Sequence, residues 1–309
     1  MAYDLVGLGE LLWDCLPAGR VMGGAPGNVV FHANQLGLNA VLATRVGRDA
    51  DGEQLLDQVE AAGMAIDLVQ RDPARPTSLV QVELDTTGSA AYTFTEDCAW
   101  DALEATPPWL EACRSARAIC FGSLAQRGAT SHGAIIQCLE ASRRAQTTAC
   151  RLFDVNLRPP FVNAQAIRAS FEYATILKLN DHEWPQILEL VQGAPTSQGV
   201  PEKFQWDGAN RLFGKYPDLR LICITRGGEG LVLASREEVL TIPGQPITVV
   251  DTVGAGDATS AGLIFGVLSG WKPEKTGRFA NHLGGLVASE RGATPALPLR
   301  ELATNFPEQ

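Results

Sequence analysis

Short apolar segments alternate with helical segments through much of this 309-residue chain. Four apolar segments bounded by polar residues are typical of buried strands, namely Ala118–Phe121, Leu152–Val155, Ile176–Leu179 and Leu221–Thr225. Helical patterns lie near 131–145, 163–174, 181–192 and 207–215. Buried strands that alternate with helices form a mainly parallel sheet covered by helices on both faces. The sequence therefore predicts an α/β fold with a doubly wound sheet, in a single domain over residues 1–309.

Polar residues follow three of these predicted strands, at 154–158, 178–180 and 225–228. Ligands of doubly wound sheets bind at the carboxyl ends of the strands. We therefore expect the functional site at this edge of the sheet. A segment rich in Gly, Pro, Ser and Gln at 193–206 is typical of a surface loop.

Residues 77–95 have a different pattern, because apolar and polar residues alternate on both sides of a turn-like Asp-Thr-Thr-Gly at 85–88. Such alternation predicts a β-hairpin inserted into the α/β chain. Together with residues 11–21, the hairpin is expected to form a small sheet that stands off the main body.

Residues 251–257, Asp-Thr-Val-Gly-Ala-Gly-Asp, follow a β-branched run, Ile247–Val250, and precede an apolar helical segment, Ala258–Leu268. The pattern predicts a strand, a tight turn and a helix. Glycines allow positive φ angles, and the free amides and the dipole of a helix N-terminus favour an anion. Asp257 would repel that anion, so we interpret it as a base that takes a proton from a hydroxyl. An ordinary glycine turn before a helix is the alternative.

Composition narrows the function classes. A net charge of −10 argues against general nucleic-acid or anionic-membrane binding. Seven scattered cysteines without a CxxC pair indicate a reduced, cytoplasmic protein. The N-terminus is too short and too acidic for a signal peptide, and no apolar run approaches the ~18 residues of a membrane span.

Three motifs of nucleotide-dependent enzymes are incomplete or absent. Leu12 stands where a dinucleotide fingerprint needs a third glycine after Gly7 and Gly9, which disfavours a dinucleotide-dependent oxidoreductase. Neither a Walker A motif nor a protein-kinase H-R-D loop occurs.

Three motifs together resemble the ribokinase-like (PfkB) carbohydrate kinases. The first is Gly-Gly-Ala-Pro-Gly-Asn at 23–28 with Gly37 downstream, the second is the 251–257 run, and the third is Asn-Asp-His-Glu at 180–183, which matches N-x-x-E. The resemblance covers almost the whole chain in the right order. It implies an ATP-dependent sugar kinase with the ribokinase-like fold, in which segments near 11–22 and 77–98 form a lid over the sugar. A non-catalytic sugar or nucleotide sensor on the same fold is the competing class, and the intact motif around Asp257 argues against it.

The resemblance also implies roles for residues. Asp257 is the base, and the amides of Gly254, Ala255 and Gly256 form the anion hole. Asn180 and Glu183 organise Mg²⁺ and the phosphates, with Glu183 acting through water; a capping box at the helix start is the structural alternative. Residues near the nucleotide are Thr225, Arg226, Gly227, Gly230 and Asn281. Asp251 begins a loop that binds K⁺ in many members.

The residues expected to bind the sugar, which we call the sugar end of the site, lie mainly in the first half of the chain. Asp14, Gly24 and Asn28 stand where the family holds sugar hydroxyls, Phe94 is placed to pack on the sugar or in the hairpin core, and Arg158 is a phosphate partner. The Gly-Gly-Ala-Pro-x-Asn run resembles bacterial fructokinases more than ribokinases, although their common form lacks Trp100. Fructose is therefore the expected substrate, with other ketoses, ribose, 2-keto-3-deoxygluconate and nucleosides as alternatives. Lid strands often pair across a homodimer in this family.

Overall fold

The computed structural model describes residues 2–16, 19–84, 90–146, 148–192 and 206–307. The first half contains β1 (Leu5–Leu8), β2 (Leu12–Leu16), β3 (Gly19–Gly23), α1 (Ala25–Gln35), β4 (Ala40–Gly47), α2 (Ala50–Ala61), β5 (Val69–Asp72), β6 (Leu79–Leu84), β7 (Ala90–Phe94), α3 (Pro107–Ser115), β8 (Ala118–Gly122), α4 (Ala129–Ala145) and β9 (Cys150–Asp154). The second half contains α5 (Ala164–Phe171), β10 (Ile176–Asn180), α6 (Glu183–Gln192), α7 (Trp206–Lys215), β11 (Leu221–Thr225), β12 (Leu231–Ala234), β13 (Val239–Ile242), α8 (Ala255–Leu268), α9 (Pro273–Ala288) and α10 (Leu299–Asn305).

The larger sheet of the described chain has nine strands in the order β13-β12-β11-β10-β9-β8-β1-β4-β5. Neighbours from β11 to β5 pair in parallel, and β12 and β13 add an antiparallel edge. The chain passes from β1 to β4 and β5 on one side, and then returns to β8 on the other side. The direction of winding therefore reverses between β1 and β8, which is where sheets of this kind bind ligands.

Helices cover both faces of this sheet, because each helix has an apolar side that must be buried. One core cluster contains residues of α3 to α7, such as Ile135 and Leu212, and a second contains residues of α1, α2, α8 and α9, such as Val29 and Ile264. A third, smaller cluster contains residues of α8, α9 and α10. The predicted doubly wound α/β fold is confirmed.

The smaller sheet has the order β3-β2-β6-β7, so two separate segments of the chain build it. Strands β6 and β7 are antiparallel, as the alternating pattern predicted, and β2 pairs in parallel with β6. Trp13 of β2 is buried, and its indole nitrogen donates to the carbonyl of Asp51 in α2 at 3.0 Å. This contact ties the small sheet to the main body. The predicted turn at 85–88 lies outside the described residues.

The prediction of a strand at Ile247–Val250 is wrong. The hairpin β12–β13 completes that edge of the sheet, and the chain from 243 to 250 then runs outside any strand, with Val249 58% exposed. β-Branched residues favour extended backbone, but this run has no neighbouring strand to pair with. The surface loop predicted at 193–206 lies, apart from residue 206, outside the described residues.

Candidate active site

A cavity of about 540 Å³ lies between the carboxyl ends of the large sheet and the small sheet, within the range of small-molecule sites. Leu16, Val21 and Val80 line it from the small sheet. Lys178 of β10 lines it from the large sheet, together with Glu10, Leu124 and Asn156 in the segments that follow β1, β8 and β9. It is also lined by these residues that the sequence singled out: Asp14, Gly24, Asn28, Phe94, Arg158, Asn180, Glu183, Thr225, Asp251, Gly254, Gly256 and Asp257.

Helix α8 begins at this cavity with Gly254 as its N-cap residue, in the left-handed region at φ 78°. A Cβ on Gly254 would overlap the backbone of Ala293, so glycine is needed there for both conformation and space. Gly256 lies inside the first helical turn and does not have the positive φ that the sequence analysis allowed for it. No side chain of the described residues caps this helix end. The amide of Ala255 already donates to the carbonyl of Thr252 at 3.3 Å.

Asp257 lies in the first turn of α8. Its Oδ2 accepts a hydrogen bond of 2.8 Å from the side-chain amide of Asn28, which comes from α1. Burial raises the pKa of Asp257 to about 7, and the negative charge of Asp154 adds to the rise. Lys178, the hydrogen bond from Asn28 and the charge of Arg158 oppose it. The site therefore contains a carboxylate that can hold or release a proton near neutral pH.

A buried ion pair lies beside this carboxylate. Lys178 Nζ donates to both carboxylate oxygens of Asp154, at 3.1 and 2.9 Å, and the hydroxyl of Ser260 donates to Asp154 Oδ2 at 2.8 Å. Burial lowers the pKa of Lys178, but the charges of Asp154, Asp257 and Glu183 outweigh it, so the pKa is raised. The lysine is therefore an ammonium ion at working pH.

Two buried oxygens of the sugar end have no partner among the described residues, Glu10 Oε2 and Asn28 Oδ1. Both side chains line the cavity. A buried acceptor without a donor is costly, so each requires a hydrogen-bond donor from a ligand or water. Asp14 of β2 faces the same space, and burial raises its pKa to about 6, with Arg158 lowering it in part.

Asn180 and Glu183 form the capping box that the sequence analysis gave as the structural alternative. Asn180 Oδ1 accepts from the amide of Glu183 at 2.9 Å, and Glu183 Oε2 accepts from the amide of Asn180 at 2.8 Å. The other oxygen of Glu183 accepts from the amide of Leu157 at 2.6 Å. This bond connects the loop after β9 to the start of α6.

Asp251 holds the loop before α8. Its Oδ1 accepts from the amide of Val253, and its Oδ2 accepts from the amide of Gly292, both at 3.0 Å. The described residues contain no group of three or more His, Cys, Asp or Glu side chains that could hold a metal ion.

Several predicted residues do not line the cavity. Arg226 forms an ion pair of 3.6 Å with Glu229 in the turn between β11 and β12. Asn281 of α9 donates to the carbonyl of Pro243 at 3.1 Å. Ala255, Gly227 and Gly230 also lie outside the lining.

The sequence analysis assigned no role to Glu10 or Ser260, and it placed Asp154 and Lys178 only among the polar residues expected at the edge of the sheet. Glu10 lies just beyond the end of β1, which was the available signal. Nothing in the sequence shows that Ser260 of α8 reaches a carboxylate at the end of β9.

A profile of the pfkB family carbohydrate kinases matches residues 9–300. The chain belongs to this family. It is therefore a sugar kinase with the ribokinase-like fold. It is 29% identical to a fructokinase from Klebsiella pneumoniae over 318 residues, which cover 95% of this chain and 96% of the relative.

Solved structures support the fold. The crystal structure of fructokinase with bound ATP from Xylella fastidiosa has a TM-score of 0.83 at 21% identity and covers 97% of this chain and 98% of that one. A Burkholderia thailandensis nucleoside kinase in complex with inosine has a TM-score of 0.74 at 20% identity, covering 98% and 95%. Among the residues that the structure describes, no helix has the length and apolar character needed to cross a membrane.

Proposed function

We propose that this chain is an ATP-dependent fructokinase that forms fructose 6-phosphate. The supporting observation is Asp257, a carboxylate with a pKa of about 7 in the first turn of a helix whose N-terminus faces the cavity. A group with that pKa accepts a proton efficiently near neutral pH. The similarity to fructokinases along nearly the whole chain supports fructose as the acceptor.

Asp257 accepts the proton of the acceptor hydroxyl as that oxygen forms its bond to the γ-phosphorus. The bond from this phosphorus to the bridging oxygen breaks, and its electron pair leaves on ADP. Asn28 orients Asp257 through the bond to Oδ2 and keeps its own Oδ1 free for a sugar hydroxyl. A base of this kind contributes typically ~10²–10⁴-fold to the rate.

The start of α8 fits a phosphate, because its glycines keep side chains away and no side chain of the described residues caps it. When bound, magnesium ATP supplies the phosphoryl group and neutralises part of its charge. We assign the anion hole to the amides of Gly254, Ala255 and Gly256, of which the Ala255 amide would have to leave the carbonyl of Thr252. Asn180 and Glu183 would hold Mg²⁺ through water, because each Glu183 oxygen that accepts one amide has a second lone pair.

The nucleotide would extend toward Thr225, Arg226, Gly227, Gly230 and Asn281. The loop held by Asp251 would take K⁺ with backbone carbonyls near 288–292. In this proposal the small sheet acts as a lid and also pairs across a homodimer.

At the sugar end, Asp14 and Asn28 would accept hydrogen bonds from sugar hydroxyls, Gly24 would let the sugar approach the backbone, and Phe94 would pack on the ring. Arg158 would contact phosphate. Asp14 is partly ionised near its pKa of about 6, and Glu10 adds a buried acceptor. Several hydrogen-bond acceptors and few cationic side chains at the sugar end of the cavity suit a neutral sugar better than a sugar acid.

The test is a coupled ADP-release assay with fructose, ribose, 2-keto-3-deoxygluconate and inosine, at fixed magnesium ATP and with and without K⁺. We expect the highest kcat/KM with fructose and a product that carries phosphate at C6 by ³¹P NMR. A higher kcat/KM for another acceptor would reassign the substrate, and no ADP release with any acceptor would contradict kinase activity on this panel.

A further inference from the structure

Arg127 lies between the large sheet and the chain that leaves the small sheet. It follows the short helical turn Leu124–Gln126 after β8, and its side chain is 7% exposed. The carbon at the centre of its guanidinium group lies 4.0 Å from the ring centroid of Trp100 and 4.6 Å from that of Phe161. Both distances are within the range of cation–π contacts. The guanidinium is therefore enclosed by aromatic rings from two different segments of the chain.

The same guanidinium holds the segment that follows β7. Its Nε donates to Asp101 Oδ1 at 2.7 Å and its Nη2 donates to Asp101 Oδ2 at 2.6 Å, and Nη2 also donates to the carbonyl of Thr95. A fork of two parallel hydrogen bonds fixes the orientation of a guanidinium as well as its distance. Thr95 is the first residue after β7. One side chain of the main body therefore fixes the point where the chain leaves the small sheet.

Phe94, the last residue of β7, connects this point to the cavity. It lines the cavity, and its ring lies edge-on to the ring of Phe161 with 5.8 Å between the centroids. Phe161 therefore contacts both Arg127 and Phe94. Thr95 also joins β7 to β6, because its hydroxyl and its amide both donate to the carbonyl of Leu79. The position of Phe94 thus depends on the contacts of Arg127.

Stability alone explains the ion pair of Arg127 and Asp101 poorly. A buried pair contributes little net stability, because the cost of removing both charges from water offsets their attraction. Its geometric effect is larger, since a planar guanidinium that is both stacked and forked restricts how its neighbours can be arranged. Such restriction is useful where a side chain must be held against a substrate.

We propose that Arg127 is a positioning residue of the sugar site, which holds Phe94 against the acceptor sugar. It acts through the stack on Trp100 and Phe161 and through the fork to Asp101. Arg127 itself does not line the cavity, so its effect on the sugar passes through these neighbours. The role rests on the proposed sugar phosphorylation. Its loss should weaken sugar binding more than the chemical step, because the groups proposed to act on the phosphoryl group lie on other elements.

The first test compares Arg127→Lys with Arg144→Lys, at an exposed arginine that pairs with Glu140 in α4. Lysine keeps the charge that Asp101 needs but cannot form the fork. We expect Arg127→Lys to raise KM for the sugar by about tenfold or more, since a misplacement of about 1 Å can cost ~10²-fold. Its kcat should stay within about threefold of wild type, because sugar binding rather than the chemical step is weakened.

The control Arg144→Lys should match wild type, and ADP affinity by calorimetry should not change in either variant. The sugar used is the acceptor with the highest kcat/KM for wild type, so a reassigned substrate leaves this test intact. A wild-type KM for Arg127→Lys would overturn the proposal, because neither the fork nor the stack would then matter for the sugar.

A double-mutant cycle with Phe94→Ala separates positioning from a general effect on the fold. Phe94→Ala alone should raise KM for the sugar by about tenfold, which is typical of a lost apolar contact in a binding pocket. If Arg127 acts through Phe94, Arg127→Lys should change KM by less than about twofold in the Phe94→Ala background, since residues of one network are not additive. An equal rise in both backgrounds, or an unchanged KM for Phe94→Ala, would overturn the proposal.

The double variant Arg127→Met/Asp101→Asn decides the matter if Arg127→Lys fails to fold. Removing both charges leaves no unpaired carboxylate, so Tm should stay near the wild-type value. The KM for the sugar should still rise by about tenfold, because the fork and the charge on the stack are lost. A wild-type KM for this variant would overturn the role of Arg127 alone, whereas wild type that releases no ADP with any acceptor would contradict the proposed function itself.

Discussion

At the residue scale, the chemistry depends on how the surroundings of Asp257 set its pKa. Burial and the charge of Asp154 raise the pKa to about 7, while Lys178 from β10, Asn28 from α1 and Arg158 after β9 lower it. The opposing groups keep the carboxylate close to the balance between its two protonation states. A base near neutrality takes a proton in the transition state and returns it to water afterwards.

This pKa predicts the pH dependence of the reaction. Asp257 must be ionised to accept a proton, so kcat/KM should rise with pH through about 7 and reach a plateau above it. At one pH unit below the pKa, about a tenth of the plateau is expected, because kcat/KM follows the ionised fraction in the free enzyme. Loss of ionised Asp14 should steepen the fall below pH 6. A flat profile from pH 5.5 to 8 would contradict this electrostatic description.

Asp14 offers a test of the sugar end. Asp14→Ala should lower kcat/KM for the best sugar by about 10- to 150-fold, since a hydrogen bond to a charged group contributes roughly 1.5–3 kcal/mol. ADP affinity should not change. Asp67→Ala, at an exposed position, is the matched control. An unchanged kcat/KM would mean that Asp14 is only a surface residue of the small sheet.

The sequence predicted some of the residues of the site but not the contacts between them. Asp257, Asn28 and Asp14 are found because they lie in recognisable runs. Lys178 and Asp154 lie in the polar runs that predicted the edge of the sheet, but the contact that Lys178 and Ser260 share at Asp154 was not predicted. That contact joins two strands and a helix, and the spacing of these residues along the chain does not encode it.

At the element scale, helix α1 forms hydrogen bonds both to the first turn of α8 and to the chain that follows α9. Asn28 donates to Asp257, and one turn later the buried His32 donates through Nε2 to the carbonyl of Ala293 at 2.9 Å. Ala293 is the residue against which Gly254 packs. The position of the anion site is therefore set by a neighbouring helix as well as by its own glycines.

The two glycines of the turn should respond differently to alanine. Gly254→Ala places a side chain at φ 78° and against Ala293, which costs about 1–3 kcal/mol and should lower Tm by at least about 2 °C. Gly256→Ala has a helical backbone, but its Cβ would lie 2.9 Å from Nζ of Lys178, which Asp154 holds in place. It should leave Tm nearly unchanged and lower kcat by about tenfold or more through displacement of that ammonium.

Gly133→Ala in α4 is the control, since a Cβ there meets nothing within 4 Å. The assignment of the turn would be contradicted if Gly254→Ala were as stable as this control, or if Gly256→Ala kept full kcat.

Most elements could be predicted from periodicity, but the run before the turn could not. Ile247–Val250 has the composition of a strand, yet strand formation needs a partner with free backbone groups. The antiparallel edge strands β12 and β13 already occupy that position in the sheet. The local sequence does not show which strands occupy the edge of the large sheet.

At the scale of the whole molecule, distant parts of the chain meet at one point. Glu10 follows strand β1, strands β9 and β10 supply Asp154 and Lys178, and α8 supplies Asp257. The α/β alternation predicted the edge of the sheet where this happens. The pairing of β2 with β6, which completes the small sheet opposite that edge, is a long-range contact that the alternating pattern only suggested.

Asn28, Asp154, Lys178 and Arg158 all act on Asp257. The most direct test of the account is therefore the turnover of Asp257→Asn, measured beside its ADP affinity. Asn keeps the shape but cannot accept the hydroxyl proton, so kcat should fall by about 10²-fold or more. ADP affinity by calorimetry should stay near wild type. Tm at pH 8 should not fall, because the fold raises the pKa of this carboxyl and so disfavours its charged form above pH 7. Near-wild-type turnover by the variant would contradict the account, because the proton would then have another acceptor.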